Sequence, residues 1–130
     1  MRVKNISMQK KFWEMKKIEF LQSLKVQDMS EKVQVLVRLF ETIINRSNDD
    51  PNNSYTAQLL SEGQEKCIAK LKEEALETVD AAENNDINQI IYESADLIYH
   101  LLVLWKKFEI SPDQIYDELS SREGKTGIRK

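Results

Sequence analysis

From Ile87 to Phe108 the chain is apolar on almost every side of a helix: Ile90, Ile91, Ala95, Leu97, Ile98, Leu101, Leu102, Val103, Leu104 and Trp105. A helix without a polar face predicts burial all round. The flanking patterns are also helical. Ser30 can cap a helix with Val33, Leu36, Val37, Phe40, Ile43 and Ile44 at helical spacing, ending near Arg46. The turn formers from Ser47 to Ser54 predict a plain loop. Ser61 followed by Gln64 has the spacing of a capping box. It would open a helix whose apolar stripe is Ile68, Leu71, Ala75, Val79 and Ala82. Asn84-Asn85-Asp86 is a turn, and Asp86 with Gln89 offers a second box before the apolar helix. Ser111-Pro112 places proline in the first turn of a last helix, where it is tolerated; that helix carries Ile115 and Leu119 and ends near Arg122.

The expectation is an all-α fold of four to five helices forming a bundle. Residues 1–28 read as a basic amphipathic N-terminal extension, 29–122 as the body, and 123–130, with two glycines, as a flexible C-terminal tail. So short a chain cannot surround its own apolar helix, which predicts a bundle completed by homodimerisation.

Composition narrows the classes. Length allows one domain with a modest core. No run of uncharged apolar residues is long enough to span a bilayer. One cysteine, Cys67, excludes an internal disulfide and falls on the apolar side of its helix, where a small core residue is expected. With one His and one Cys there is no zinc motif. The net charge of −3 is uneven: residues 1–27 carry seven Lys/Arg against two Glu, leaving the rest at −8. An acidic body argues against nucleic-acid binding. In the first segment Phe12, Trp13, Met15, Ile18, Phe20, Leu21 and Leu24 stand among lysines. It lacks the unbroken apolar core and cleavage site of a secretory signal, and its two glutamates disfavour a transit peptide. A helix packing on the body or on a partner subunit is preferred over a membrane-surface helix, and the expected location is cytoplasmic.

Chemistry concentrates in four carboxylates. Glu74 and Glu77 are three apart, as are Glu93 and Asp96, and each pair lies on one face of a helix. A short turn would let the pairs face each other, the second within an apolar helix. Buried carboxylates are costly unless paired or bound to metal, and these helices carry too few cations to neutralise both pairs. Oxygen ligands suit Mg²⁺, with Mn²⁺ as substitute. Such a centre leaves positions for water and phosphate oxygens. Glu73 sits beside the set, where it could position or deprotonate a water. Lys70 falls on the same face as Glu74 and Glu77. His100 is at i+7 from Glu93; a lone histidine there suits a hydrogen-bonded core position and is kept as a candidate substrate contact. No P-loop, dinucleotide glycine motif or Ser/His/Asp arrangement is present.

The pattern Glu-x-x-Glu, fifteen residues, Glu-x-x-Asp resembles the signature of the MazG-like all-α nucleoside triphosphate pyrophosphatases. Within them, Ser54-Tyr-Thr-Ala-Gln-Leu-Leu60, Lys70-Leu-Lys-Glu-Glu-Ala-Leu-Glu-Thr-Val79 and Tyr92-Glu-Ser-Ala-Asp-Leu-Ile-Tyr-His-Leu-Leu-Val-Leu104 resemble the phosphoribosyl-ATP pyrophosphatase family, in unbroken order from about Val33 to Arg122. The resemblance implies an all-α homodimer that hydrolyses phosphoribosyl-ATP to phosphoribosyl-AMP and pyrophosphate with Mg²⁺, the second step of histidine biosynthesis. It implies Glu74, Glu77, Glu93 and Asp96 as metal ligands, with Glu73 adjacent. It sets Ser54, Tyr55, Thr56 and Lys70 beside the phosphates or ribose. The usual glycine before the paired glutamates is replaced by Lys72, which weakens any close approach of backbone to ligand there. The first 27 residues fall outside the resemblance. Two rivals are a housecleaning pyrophosphatase acting on other nucleoside triphosphates, which needs the same carboxylates but not the Ser-Tyr-Thr loop or the Tyr99-His100 pair, and a non-enzymatic helical module indifferent to divalent cations.

Overall fold

The computed structural model describes residues 2–24 and 31–127, with side chains from 8–19 and from 31 onward. Over these residues it contains six helices and no strand: α1 Arg2–Leu24, α2 Val35–Arg46, α3 Tyr55–Ser61, α4 Gln64–Glu83, α5 Ile87–Lys107 and α6 Pro112–Ser121. They fall into two units, 1–36 and 37–130.

The first unit contains α1. Met8, Phe12, Trp13, Met15 and Ile18 are all exposed on it, and Lys16 lies 3.4 Å from Glu19 and over the Phe12 ring. Met8, Phe12 and Met15 recur at i, i+4 and i+7 on one side, while Trp13 faces another. Over the described side chains, 8–19, the apolar residues of the helix do not gather on a single face.

In the second unit α4 and α5 form the central hairpin, with α3 against both. The core is Phe40 and Ile43 of α2, Ala57 and Leu59 of α3, Cys67 and Ala81 of α4, and Leu102 and Val103 of α5. Cys67 therefore takes the core role expected of it. Asn84 and Asn85 make the turn between the long helices. Asn85 is left-handed at φ 54°, a conformation asparagine tolerates better than most residues. The Asp86 side chain then accepts from the Gln89 N–H at 3.2 Å, capping α5. Ser111 and Gln114 have capping-box spacing at α6, the Ser111 N–H donating to Gln114 Oε1 at 3.0 Å, with Pro112 in its first turn.

The run from Ser47 to Ser54 is a loop, as expected, and two other local expectations are corrected. Asp50 accepts from the N–H groups of Asn52, Asn53 and Ser54, and Ser54 then caps the seven-residue α3 through Ala57 N–H at 3.2 Å. Ser61 ends that helix, its hydroxyl donating to the Gln58 carbonyl at 2.7 Å, instead of capping α4. The break is Gly63, at φ 97°, a region open to glycine. Finally, the stripe proposed as the buried face of α4 is only partly covered among the described residues. Leu71 and Ala75 are half-buried but Ile68, Val79 and Ala82 are exposed, and the buried residues of α4 are Cys67, Glu74 and Ala81. The proposed cap Ser30 lies outside the described residues.

Apolar α5 is likewise half open. His100, Leu102 and Val103 are buried, yet Ile87 and Ile91 are 66% and 65% exposed, and Tyr92 and Ile98 are exposed too. With Leu76 and Val79 of α4 they leave a broad apolar surface of the kind that marks an interaction site.

Candidate metal centre

The α4–α5 hairpin brings the two acidic pairs together. One oxygen from each of Glu74, Glu77 and Glu93 lies within 4.8 Å of the others. Asp96 stands outside that trio but acts on Glu74 and Glu93 through its charge. Glu74 is buried, held at the backbone by Thr78, whose hydroxyl donates to the Glu74 carbonyl at 2.8 Å. Burial, and after it the charge of Glu77, pushes the Glu74 carboxyl up to about 7. Glu93 is also pushed up, by burial first and Glu77 second.

The polar accounting leaves two oxygens open. Glu74 Oε2 and Glu93 Oε2 are buried and have no hydrogen-bond partner. A buried, unpartnered carboxylate oxygen is strongly unfavourable, and here two point into one acidic cluster. His100 Nε2 lies 3.8 Å from Glu74 Oε1, but burial lowers the His100 pKa and favours the neutral ring. A hard divalent cation fits this oxygen set.

These shifts predict a pH-dependent stability for cation-free protein. Folded Glu74 holds its proton up to about pH 7, whereas the ordinary glutamate value is 4.5. The folded state therefore binds more protons over that window, and stability rises as pH falls through it. His100 acts in the opposite sense below 6.5, because its folded pKa is depressed. In excess chelator the melting temperature should be nearly flat from pH 8 to about 7.5, rise as the pH falls through 7 towards 6.5, and level off below that, where His100 opposes Glu74. Mg²⁺ added at pH 8 should recover the loss. A melting temperature flat across this range and insensitive to Mg²⁺ would show that the acids are not gathered.

The remaining candidates divide. Lys70 Nζ pairs with exposed Glu73 at 2.7 Å, not with Glu74. That bond, before any other cause, lowers the Glu73 pKa. Glu73 thus borders the cluster without joining it. Ser54 and Thr56 turn inward: Ser54 caps α3, and the Thr56 hydroxyl bonds that of Tyr99 at 2.5 Å. Tyr55 between them is exposed. The Thr56–Tyr99 link and the nearness of His100 to Glu74 join residues far apart in sequence. The only hint of either was that Tyr99 and His100 follow Asp96 on one apolar helix.

Residues 36–123 match the family described as phosphoribosyl-ATP pyrophosphohydrolase. The chain is 45% identical over 102 residues to the phosphoribosyl-ATP pyrophosphatase of Nitrosomonas eutropha, covering 78% of this chain and 87% of that one. It is 46% identical over 100 residues to that of Parvibaculum lavamentivorans, covering 77% and 92%. To that of Azospirillum brasilense it is 45% identical over 94 residues, covering 72% and 85%.

Proposed function

The chain belongs to the phosphoribosyl-ATP pyrophosphohydrolase family, and from that premise we propose that it hydrolyses phosphoribosyl-ATP to phosphoribosyl-AMP and pyrophosphate, the second step of L-histidine biosynthesis, using Mg²⁺. The observation that carries this reading is the convergence of Glu74, Glu77 and Glu93 with two buried oxygens left unpartnered. Glu74, Glu77, Glu93 and Asp96 would hold the cation, and Mn²⁺ would substitute for it. Bound there, the cation offsets charge on the phosphate oxygens and acidifies water.

The chain's own groups do the rest. Glu77 and Glu93 supply oxygens beside buried Glu74. Glu73, kept ionised by Lys70, can orient the attacking water or accept its proton. Neutral His100 packs against Glu74 without adding positive charge beside the ligands. Ser54 and Thr56 shape the start of α3 so that Tyr55 faces outward near the cluster. We place the catalytic body at 29–122, with 1–28 and 123–130 as appendages, in a cytoplasmic homodimer whose substrate is a nucleotide and not a nucleic acid.

The direct test supplies phosphoribosyl-ATP and Mg²⁺ and follows pyrophosphate release, with dCTP, dUTP and ATP as controls. Preference for phosphoribosyl-ATP supports the reading, and preference for a control substrate replaces it with a housecleaning role. Lys70 gives a second test. Its ion pair with Glu73 is partly exposed and so stabilises the helix only weakly. If Lys70 also contacts phosphate, Lys70→Ala should lower kcat/KM by roughly tenfold or more, about 1.4 kcal/mol, with little change in melting temperature. A normal kcat/KM with a slight loss of stability would leave it the helix pair alone.

A further inference from the structure

Tyr55 differs from its neighbours. Ser54 and Thr56 are buried, while Tyr55 is 50% exposed at the start of α3. One face of its ring is backed by Tyr99, with centroids 6.4 Å apart and planes at 22°. His100 meets it edge-on at 6.1 Å. Tyr99 is itself fixed, by the Thr56 hydroxyl and by the edge of His100 at 5.0 Å. The Tyr55 ring therefore has a rigid backing and an open side.

The same His100 lies 3.8 Å from Glu74. The aromatic group thus begins one imidazole away from the carboxylate cluster, and the charge of Lys70 acts on both Tyr55 and Glu74. A nucleotide with its phosphates at the cluster has its base displaced by about the span of a ribose. Phosphate and ribose gain little from an aromatic face. A purine gains a great deal, because its flat surface stacks on one.

We propose that Tyr55, backed by Tyr99, is the platform on which the purine of the substrate stacks, so that it determines base selectivity and does not contact phosphate or ribose. This rests on reading the carboxylate cluster as the nucleotide hydrolysis site. Stacking that is equal in bound substrate and transition state affects KM and leaves kcat alone.

The test uses the full chain with Mg²⁺ and compares wild type, Tyr55→Leu and Tyr55→Phe. Tyr55→Leu should raise KM for phosphoribosyl-ATP tenfold or more with kcat within about twofold, and Tyr55→Phe should restore it. As inhibitors, AMP should weaken about tenfold against Tyr55→Leu, whereas pyrophosphate should not. Thermal melts check folding; should Tyr55→Leu fail to fold, Tyr55→Gln, polar and without a ring, replaces it. An unchanged KM, or equal weakening of AMP and pyrophosphate, overturns the proposal. If wild type does not hydrolyse phosphoribosyl-ATP, the functional reading fails by itself. Calorimetric titration of AMP into wild type and variant then still decides the platform, equal affinities counting against it.

Discussion

Replacing Glu77 by Gln, or Asp96 by Asn, should lower kcat/KM by at least about a thousandfold, roughly 4 kcal/mol of transition-state stabilisation, while leaving the helices folded. Each change removes a charge from the cation site and little volume. Gathering like charges destabilises the cation-free protein, as the upward shifts of Glu74 and Glu93 record. Glu77→Gln should therefore melt higher than wild type in chelator, because Glu77 is the leading charge acting on Glu74. Mg²⁺ should raise the wild-type melting temperature and leave that of the variant nearly unmoved. Full activity in both variants, or activity indifferent to chelator, would remove the metal centre from the account.

The second large effect concerns assembly. Ile87, Ile91 and Ile98 of α5, with Leu76 and Val79 of α4, lie uncovered along the hairpin that carries the carboxylates. We expect a second copy to cover them, since a self-complementary apolar face is what a two-fold dimer requires. Sedimentation at micromolar concentration should give about twice the chain mass. Ile91→Glu, which would bury an unpaired charge at the seam, should reduce it to the monomer and lower the melting temperature by several degrees. Ile91→Leu should leave the mass unchanged. A wild-type protein that is monomeric, compact and active would mean that this surface has another use.

Both expectations bear on what could be read from residue order. The hairpin was legible because its signals are local: the Asn-Asn-Asp turn, the Asp86 cap and the three-residue spacing of the acids all act within one or two helical turns. Helix α6 was legible through Ser111 and Pro112. Helix α3 was not, since seven residues are too few for a 3.6-residue period to stand out. Ser61 misled because a serine can end a helix by bonding back to a carbonyl as readily as it begins one, and Gly63 was the stronger marker. The outer stripe of α4 could not be told from a core stripe, because apolar periodicity records that a face avoids water and not which chain covers it. At the site, the acidic trio followed from spacing alone. The Thr56–Tyr99 bond, the inward turn of Ser54 and the Lys70–Glu73 pairing depend on how α3 lies against α4 and α5, and on which rotamer a long side chain adopts.

The short connection between α4 and α5 has a kinetic consequence. Glu74, Glu77, Glu93 and Asp96 all lie on two consecutive helices joined through Asn84 and Asn85. Bringing them together closes a short stretch of chain, which carries a small entropy penalty, and contacts local in sequence form quickly. The packing of α3, by contrast, rests on partners far along the chain, such as Tyr99 for Thr56 and Lys107 for the Leu60 carbonyl. The repulsion among the acids should therefore be met early on the folding path, at hairpin closure, before the long-range contacts that complete the core.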